Sequence, residues 1–203
     1  MAEVSGSSPL PPTICDFLWR YLKLLDIHTH LNQYHKDEIG EILTRAGEVG
    51  VAGAILAGTT VTSSRDCINL ANADNRLFAG IGIHPMDIPS NADHTIVEEI
   101  RKLSSEPRVL VISEVGLDRI EGAPDFRLQE EIFRAQIQLA SDVAMPIIYH
   151  SRLAYPEILD ILKDEQAFKV GGAAHYFQGD LDTAKQCIDL GFMISFARPV
   201  GLS

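Results

Sequence analysis

The sequence predicts an α/β fold, a TIM-type (β/α) barrel in which seven of the eight strands are present. Short apolar runs alternate with amphipathic helical stretches along the chain, which is the pattern of right-handed βαβ units around a parallel sheet. Histidines and a glutamate recur where these apolar runs end. The chain has 203 residues, whereas a complete barrel typically has about 250. We therefore expect a barrel that lacks its last strand.

The first predicted strand, residues 24–30, ends in two histidines at alternate positions. Side chains alternate between the faces of a strand, so Asp26, His28 and His30 are expected to point the same way. One carboxylate and two imidazoles on one face are well suited to hold a divalent metal ion. A His-x-His pair alone is also typical of hydrogen-bonded core or surface histidines. The interpretation therefore depends on partners from the rest of the chain.

The remaining strands and helices follow in a regular order. The predicted strands after the first are 51–57, 77–83, 108–115, 146–149, 169–176 and 192–196. The predicted helices are 36–49, 63–73, one that begins at Asp93 or His94, 124–141, 156–163, and one that begins at Asp180 and ends before Gly191. Ser63 and Asp66 resemble a capping box at the start of the second of these helices.

The chain divides into a short arm and one domain. Residues 1–13 are rich in Ser, Pro and Gly, a composition that predicts a disordered arm. Residues 14–203 form the predicted incomplete hydrolase barrel. Within them, residues 14–23 carry a helical apolar pattern. This segment is either a short helix packed under the first strand or an extension with no role.

Composition restricts the class of partner and the location. The chain has 17 basic and 28 acidic residues, a formal net charge of −11, which argues against sequence-independent nucleic-acid binding by a basic face. A phosphate-bearing substrate would need a local positive centre, which bound metal ions supply. The three cysteines (Cys15, Cys67 and Cys187) are far apart and predict buried thiols in a reducing cytoplasm. We expect neither a membrane span nor a signal peptide.

Six side chains that bind metals well lie at the ends of predicted strands. They are His28, His30, His84, Glu114, His150 and His175. The C-terminal ends of barrel strands meet at one mouth, which is where barrel enzymes place their active sites. A set of imidazoles and carboxylate without thiolate suits an open catalytic site for zinc, manganese or magnesium. It exceeds what one tetrahedral ion needs, so we expect two divalent ions that activate water for hydrolysis.

Five motifs, in order, resemble those of the TatD-type metal-dependent deoxyribonucleases of the amidohydrolase superfamily. The resemblance extends from about residue 24 to residue 196. The motifs are Asp26-x-His28-x-His30, Gly82-Ile83-His84-Pro85, Ser113-Glu114-Val115-Gly116-Leu117-Asp118, His150-Ser151-Arg152 and His175-Tyr176-Phe177-Gln178-Gly179.

The resemblance implies a metal-dependent phosphodiesterase that acts on DNA through two ions. It implies that His28, His30 and Glu114 hold one ion. It implies that Glu114, His150 and His175 hold the other, with Glu114 as the bridge. It implies that His84 and Arg152 contact the scissile phosphate, so the expected catalytic residues are Glu114, His84 and Arg152.

Two departures from the family pattern affect the expected activity. Leu153 stands where the family often has an acidic residue. The family also has a metal-binding aspartate in a Thr-Asp-x-Pro context at the end of its eighth strand, and residues 197–203 contain no acid. We therefore expect little nuclease activity from these 203 residues alone.

Two other functions remain open from the sequence. The same barrel mouth serves many chemistries, so an amidohydrolase or esterase that acts on a small carbonyl substrate is the first alternative. The second is a catalytically silent metal-binding protein or partner-binding remnant. The two remaining histidines, His35 and His94, lie at helix starts and are expected to be solvated.

Overall fold

The computed structural model describes residues 23–197 and contains a parallel sheet. Its strands are β1 (Leu24–Thr29), β2 (Val51–Ala57), β3 (Leu77–Ile81), β4 (Val109–Asp118), β5 (Ile147–Arg152), β6 (Gly172–Ala174) and β7 (Phe192–Ile194). The predicted arm at 1–13 and nearly all of the helical pattern at 14–23 lie outside the described residues.

Each strand pairs in parallel with the next one along the chain, in the order β1 to β7. Parallel neighbours require a crossover, and the helices provide it. The described helices that connect them are α1 (Lys36–Glu48), α2 (Val61–Ala73), α3 (Thr95–Leu103), α4 (Phe126–Asp142), α5 (Tyr155–Asp164) and α6 (Leu181–Asp189). The strands curl into a partial barrel, which confirms the predicted fold class.

Apolar side chains on both faces of the sheet hold the partial barrel together. The larger cluster lies between the strands and the helices and contains fully buried residues such as Leu56, Ile112 and Phe133. A second cluster of strand residues is formed by Ile55, Val111, Ile148 and Ala173. Parallel strands covered on both faces read as continuous apolar runs, which is why the strands were visible in the sequence.

Two strands are longer than the sequence pattern predicted. β4 continues three residues past the predicted end at Val115, and β5 continues from Tyr149 to Arg152. The extensions pair with each other, since Gly116 lies opposite His150 and Asp118 lies opposite Arg152. The sequence analysis ended both strands too early, because polar side chains interrupt the apolar pattern there. Glu114 and His150 therefore lie within paired strands, which hold them more rigidly than a loop would.

Other boundaries also differ from the prediction. β3 ends at Ile81 rather than at residue 83, and β7 ends at Ile194 rather than at residue 196. β6 has only three residues, because Lys169 belongs to a 3₁₀ turn and Tyr176 has a left-handed φ of 49°. α2 begins at Val61 rather than at residue 63, because Thr60 is its N-cap. The oxygen of Thr60 accepts from the backbone amide of Ser63, and Ser63 Oγ accepts from that of Thr60. The predicted partner Asp66 takes no part in this capping box.

Cys67 and Cys187 are buried and unpaired within the described residues, as predicted. Across residues 23–197, no helix has both the length and the apolar character that crossing a membrane requires.

Candidate metal centre

Glu114 lies at the centre of the histidine cluster and is almost fully buried. Its backbone amide donates to the Gly58 carbonyl across the sheet. Oε2 faces Nε2 of His28 at 3.4 Å and Nε2 of His30 at 3.6 Å. Oε1 faces Nδ1 of His150 at 3.3 Å and Nε2 of His84 at 3.6 Å. The two oxygens of one carboxylate thus serve two separate groups of histidines.

The first group consists of His28, His30 and Glu114 and has the dimensions of a metal site. The two Nε2 atoms are 3.3 Å apart, and the carboxylate oxygen is at a similar distance from each. Metal–ligand bonds of roughly 2.0–2.1 Å at tetrahedral angles place neighbouring ligand atoms about 3.3 Å apart. Three ligand atoms with this spacing leave room for one ion between them and fit a divalent cation.

The second group consists of His84, Glu114 and His150, whose ligand atoms also lie within 4.8 Å of one another. The two imidazoles differ in the atom that they present. Nδ1 of His84 accepts from the backbone amide of Met86 at 3.2 Å, so its proton lies on Nε2, which faces Glu114. His150 instead directs Nε2 at a carboxylate oxygen of Asp118, at 2.9 Å, and Nδ1 at Glu114. His150 therefore offers a lone pair to the cluster, whereas His84 offers an N–H.

His175 follows β6 and reaches the cluster from the opposite side of β5. Its amide donates to the Tyr149 carbonyl. Its ring stacks on that of His28, with centroids 3.5 Å apart and planes inclined by 20°. Its Nδ1 is buried and has no hydrogen-bond partner among residues 23–197. The structure thus brings His175 to the cluster, outside the two groups of closely spaced ligand atoms.

Burial keeps several of these imidazoles uncharged. It lowers the pKa of His175 to about 3, with help from the neighbouring charge of His28. It also lowers the pKa of His30 and His84, although Glu114 opposes the shift in both. Burial alone would raise the pKa of Glu114, but the surrounding imidazoles of His150, His28 and His84 hold it well below its ordinary value. Neutral imidazoles around an ionised carboxylate are the protonation states that metal ligands need.

Arg152 lies at the end of β5 and is 43% exposed. Its Nε and Nη2 atoms both donate to Oδ2 of Asp118, at 2.9 and 2.6 Å. The guanidinium is thus fixed beside His150 while part of it stays open to solvent. A fixed, partly exposed guanidinium is suited to bind a phosphate.

The other acidic and histidine side chains of the early motifs lie away from the cluster. Asp26 accepts from the backbone amide of His28 at 3.1 Å and joins neither group of ligand atoms. The expectation that it shares the face of His28 and His30 as a ligand is wrong, because a register shift interrupts β1 between Asp26 and Thr29. His35 and His94 are exposed, as predicted.

Two buried glutamines of α4 support the site, and the sequence analysis missed them. Gln136 accepts from the amide of Ile83 at 2.7 Å and donates to its carbonyl at 3.1 Å. Gln129 makes the same pair of bonds to the backbone of Asp118, at 2.9 and 3.1 Å. Their seven-residue spacing puts both on the buried stripe of one helix. A polar side chain within an apolar stripe was the signal that could have identified them.

Comparisons with known proteins agree with this geometry. The family model described as "TatD related DNase" matches residues 25–202. An uncharacterized metal-dependent hydrolase of Bacillus subtilis, YabD, is 35% identical over 179 residues, which are 87% of this chain and 69% of that protein. A Klebsiella pneumoniae protein named 3'-5' ssDNA/RNA exonuclease TatD is 33% identical, over 84% of this chain and 65% of its own length.

The fold of this chain also matches that of a solved TatD homolog. The crystal structure of YjjV, a TatD homolog from Escherichia coli, superposes with a TM-score of 0.76 at 26% identity. The match covers 84% of this chain and 66% of that one. The chain thus spans about two thirds of the length of these relatives. By sequence and by fold, the chain belongs to the TatD-related DNase family of metal-dependent hydrolases.

Proposed function

We propose that this chain provides the metal centre of a phosphodiesterase that acts on DNA. The observation that carries the proposal is the position of Glu114, whose two oxygens each face a separate group of histidines at 3.3–3.6 Å. A carboxylate between two groups of ligands is the arrangement of hydrolases with two metal ions. Bound divalent ions supply positive charge for the phosphoryl oxygens and activate the attacking water.

The residues divide into ligands and substrate contacts. We assign His28, His30 and Glu114 to one ion, and Glu114, His150 and His175 to the other. The lone pair of His150 directed at Glu114 supports this assignment, and so does the position of His175, whose ring stacks on that of His28. Zinc and manganese accept nitrogen and carboxylate ligands of this kind, whereas magnesium prefers oxygen ligands.

His84 and Arg152 are assigned to the scissile phosphate. Because Nδ1 of His84 already accepts from Met86, its Nε2 presents a proton, which suits a phosphoryl oxygen better than a metal ion. Arg152 contributes a fixed positive charge. These donors give an acidic chain, with a net charge of −11, the local positive centre that a phosphodiester needs.

The substrate class rests on a relative. The name of the Klebsiella pneumoniae protein supports a single-stranded nucleic acid as substrate, and DNA is our choice for this chain. Cys67 and Cys187 are buried thiols with no disulfide partner among residues 23–197, which supports a reducing, cytoplasmic location.

The test compares the chain with its Glu114→Gln variant. Glutamine keeps the shape but removes the charge and replaces one ligand oxygen by an NH₂ group, so it cannot bridge two ions. We expect the variant to bind fewer zinc or manganese ions. In a version extended by an eighth strand, we expect it to lose metal-dependent hydrolysis of bis(p-nitrophenyl) phosphate and labelled single-stranded DNA by at least about a hundredfold. Metal stoichiometry and hydrolysis are measured on the same samples.

His94→Asn is the matched control, because His94 is exposed and lies outside the cluster. It should keep the metal content and hydrolysis of the unmodified chain. Hydrolysis that persists in excess chelator would contradict the proposal. So would activity on a panel of lactones and amides with none on either phosphodiester, which would favour a carbonyl hydrolase.

A further inference from the structure

Asp118 is a completely buried carboxylate that receives four hydrogen bonds beside the candidate metal centre. Oδ2 accepts from Nε2 of His150 at 2.9 Å and from two nitrogens of Arg152, at 2.9 and 2.6 Å. Oδ1 accepts from the backbone amide of Ile120 at 3.0 Å. Every donor comes from β5 or from the residues that follow β4, so the carboxylate joins these two strand ends.

The backbone of Asp118 is held as firmly as its side chain. The buried side-chain amide of Gln129 accepts from the backbone N–H of Asp118 and donates to the Asp118 carbonyl. It also donates to the Pro124 carbonyl at 2.8 Å. Asp118 also lies directly opposite Arg152 in the pairing of β4 with β5. Strand pairing, a helix side chain and four donors thus fix the position of one carboxylate.

The chemistry of a carboxylate decides which nitrogen of His150 carries the proton. An ionised carboxylate only accepts hydrogen bonds, so the imidazole must donate from Nε2. In the neutral ring Nδ1 then keeps its lone pair, and this atom lies 3.3 Å from Oε1 of Glu114. A lone pair and a carboxylate oxygen repel each other at this distance unless a cation lies between them.

We infer that Asp118 is a positioning residue that directs Nδ1 of His150 to the metal and, through the same oxygen, holds Arg152 at the substrate phosphate. This inference rests on the proposed function, because it assigns a task to a residue next to that site. Carboxylates that accept from a metal-bound histidine fix its tautomer and orientation in many metalloenzymes. Oδ2 of Asp118 accepts from His150, the proposed metal ligand, and from Arg152, the proposed phosphate contact. A single substitution of Asp118 should therefore affect both metal binding and phosphate binding.

Asparagine cannot replace Asp118 without leaving two donors face to face. Its amide oxygen can take either the position of Oδ2 or that of Oδ1. In the first case the NH₂ group meets the Ile120 amide, and the uncharged oxygen that remains beside His150 is a weaker acceptor than the carboxylate. In the second case the NH₂ group faces the donors of His150 and Arg152. Nε2 of His150 must then accept, so its proton moves to Nδ1, the atom that would bind the metal. The Asp118→Asn variant is therefore the informative substitution, with almost no change in volume.

The experiment measures zinc binding and the proton position together. Zinc is the probe because it is diamagnetic and accepts nitrogen and carboxylate ligands. Nitrogen-15 spectra of the zinc-loaded chain should show the proton of His150 on Nε2 and the metal on Nδ1. We expect Asp118→Asn to lower zinc affinity by about 10- to 100-fold and to weaken binding of inorganic phosphate to the zinc-loaded protein.

Arg152→Gln separates the two tasks. It removes the guanidinium but keeps the bond between Asp118 and His150, so it should weaken phosphate binding while zinc affinity changes by less than about twofold. A merely structural role for Asp118 would lower the melting temperature of Asp118→Asn and leave its zinc affinity unchanged.

Two results would overturn the inference. One is a zinc-loaded, unmodified chain with the metal on Nε2 of His150, a measurement that needs no variant to fold. The other is a folded Asp118→Asn variant with unchanged zinc affinity. A version extended by an eighth strand that holds zinc on Nδ1 but hydrolyses no phosphodiester would refute the proposed nuclease function and leave the role of Asp118 intact.

Discussion

At the scale of single residues, the site depends on which nitrogen each histidine presents. His84 and His150 face the same oxygen of Glu114, yet their roles differ. Nδ1 of His84 accepts a hydrogen bond from the backbone amide of Met86, whereas Nε2 of His150 donates one to Asp118. One donor or acceptor behind each ring thus decides whether it serves as a hydrogen-bond donor or as a ligand.

Acid should destabilise the metal-free chain through His175. Its pKa is lowered from 6.5 to about 3, first by burial and then by the charge of His28. Between these two pH values the unfolded chain binds a proton that the folded chain does not bind, so the free energy of unfolding falls as the pH falls. Above the unfolded pKa this contribution is constant. We expect the chelator-treated chain to melt at a lower temperature at about pH 5 than at about pH 7.5.

The His175→Asn variant provides the comparison. It should lose less melting temperature between the two pH values, because its unfolded state no longer gains that proton. His94→Asn should behave like the unmodified chain, since His94 is exposed. An equal loss in His175→Asn and in the unmodified chain would show that His175 does not carry the acid sensitivity.

At the scale of elements, helices both connect the strands and hold their ends in place. α4 uses Gln129 and Gln136 to bond the backbone beside His84 and at Asp118. α2 lies between β2 and β3, and its N-terminus follows the turn that carries Gly58 and Thr59. The carbonyls of these two residues accept from the amides of Glu114 and His84. The start of α2 thus lies next to the backbone that supports two site residues.

Removal of the N-cap of α2 should be measurable. Thr60→Ala deletes the oxygen that accepts from the Ser63 amide at 3.0 Å. Loss of a threonine cap costs about 1 kcal/mol of unfolding free energy, which urea denaturation can resolve. Thr62→Ala makes the same chemical change at an exposed position of the same helix and should cost almost nothing. Equal losses in the two variants would mean that the capping contact does not stabilise the helix.

At the scale of the whole molecule, the close pairing of β4 with β5 both builds the sheet and positions His150 in the site. Gly116 lies opposite His150, and it adopts a positive φ of 134°. A Cβ atom at this position would lie 2.0 Å from the His150 carbonyl oxygen. No side chain fits there, so the two strands approach closely only because residue 116 is glycine.

Gly116→Ala should therefore damage stability and metal binding together. We expect the free energy of unfolding to fall by at least about 2 kcal/mol, and zinc affinity to fall because His150 moves away from Glu114. Gly40→Ala is the control. Its added Cβ meets nothing within 4 Å in the middle of α1, so it should be neutral or stabilising by up to about 1 kcal/mol. Zinc affinity in Gly116→Ala equal to that of Gly40→Ala would contradict this link.

The sequence alone determined the order of strands and helices, the parallel sheet, and the meeting of His28, His30, Glu114 and His150 at one end of it. These follow from local periodicity and from the rule that parallel strands end at one edge. Only the tertiary structure decided that Asp26 lies outside the cluster and that Asp118 accepts a hydrogen bond from His150. Such details depend on strand register and on donors from distant segments, which no local pattern records.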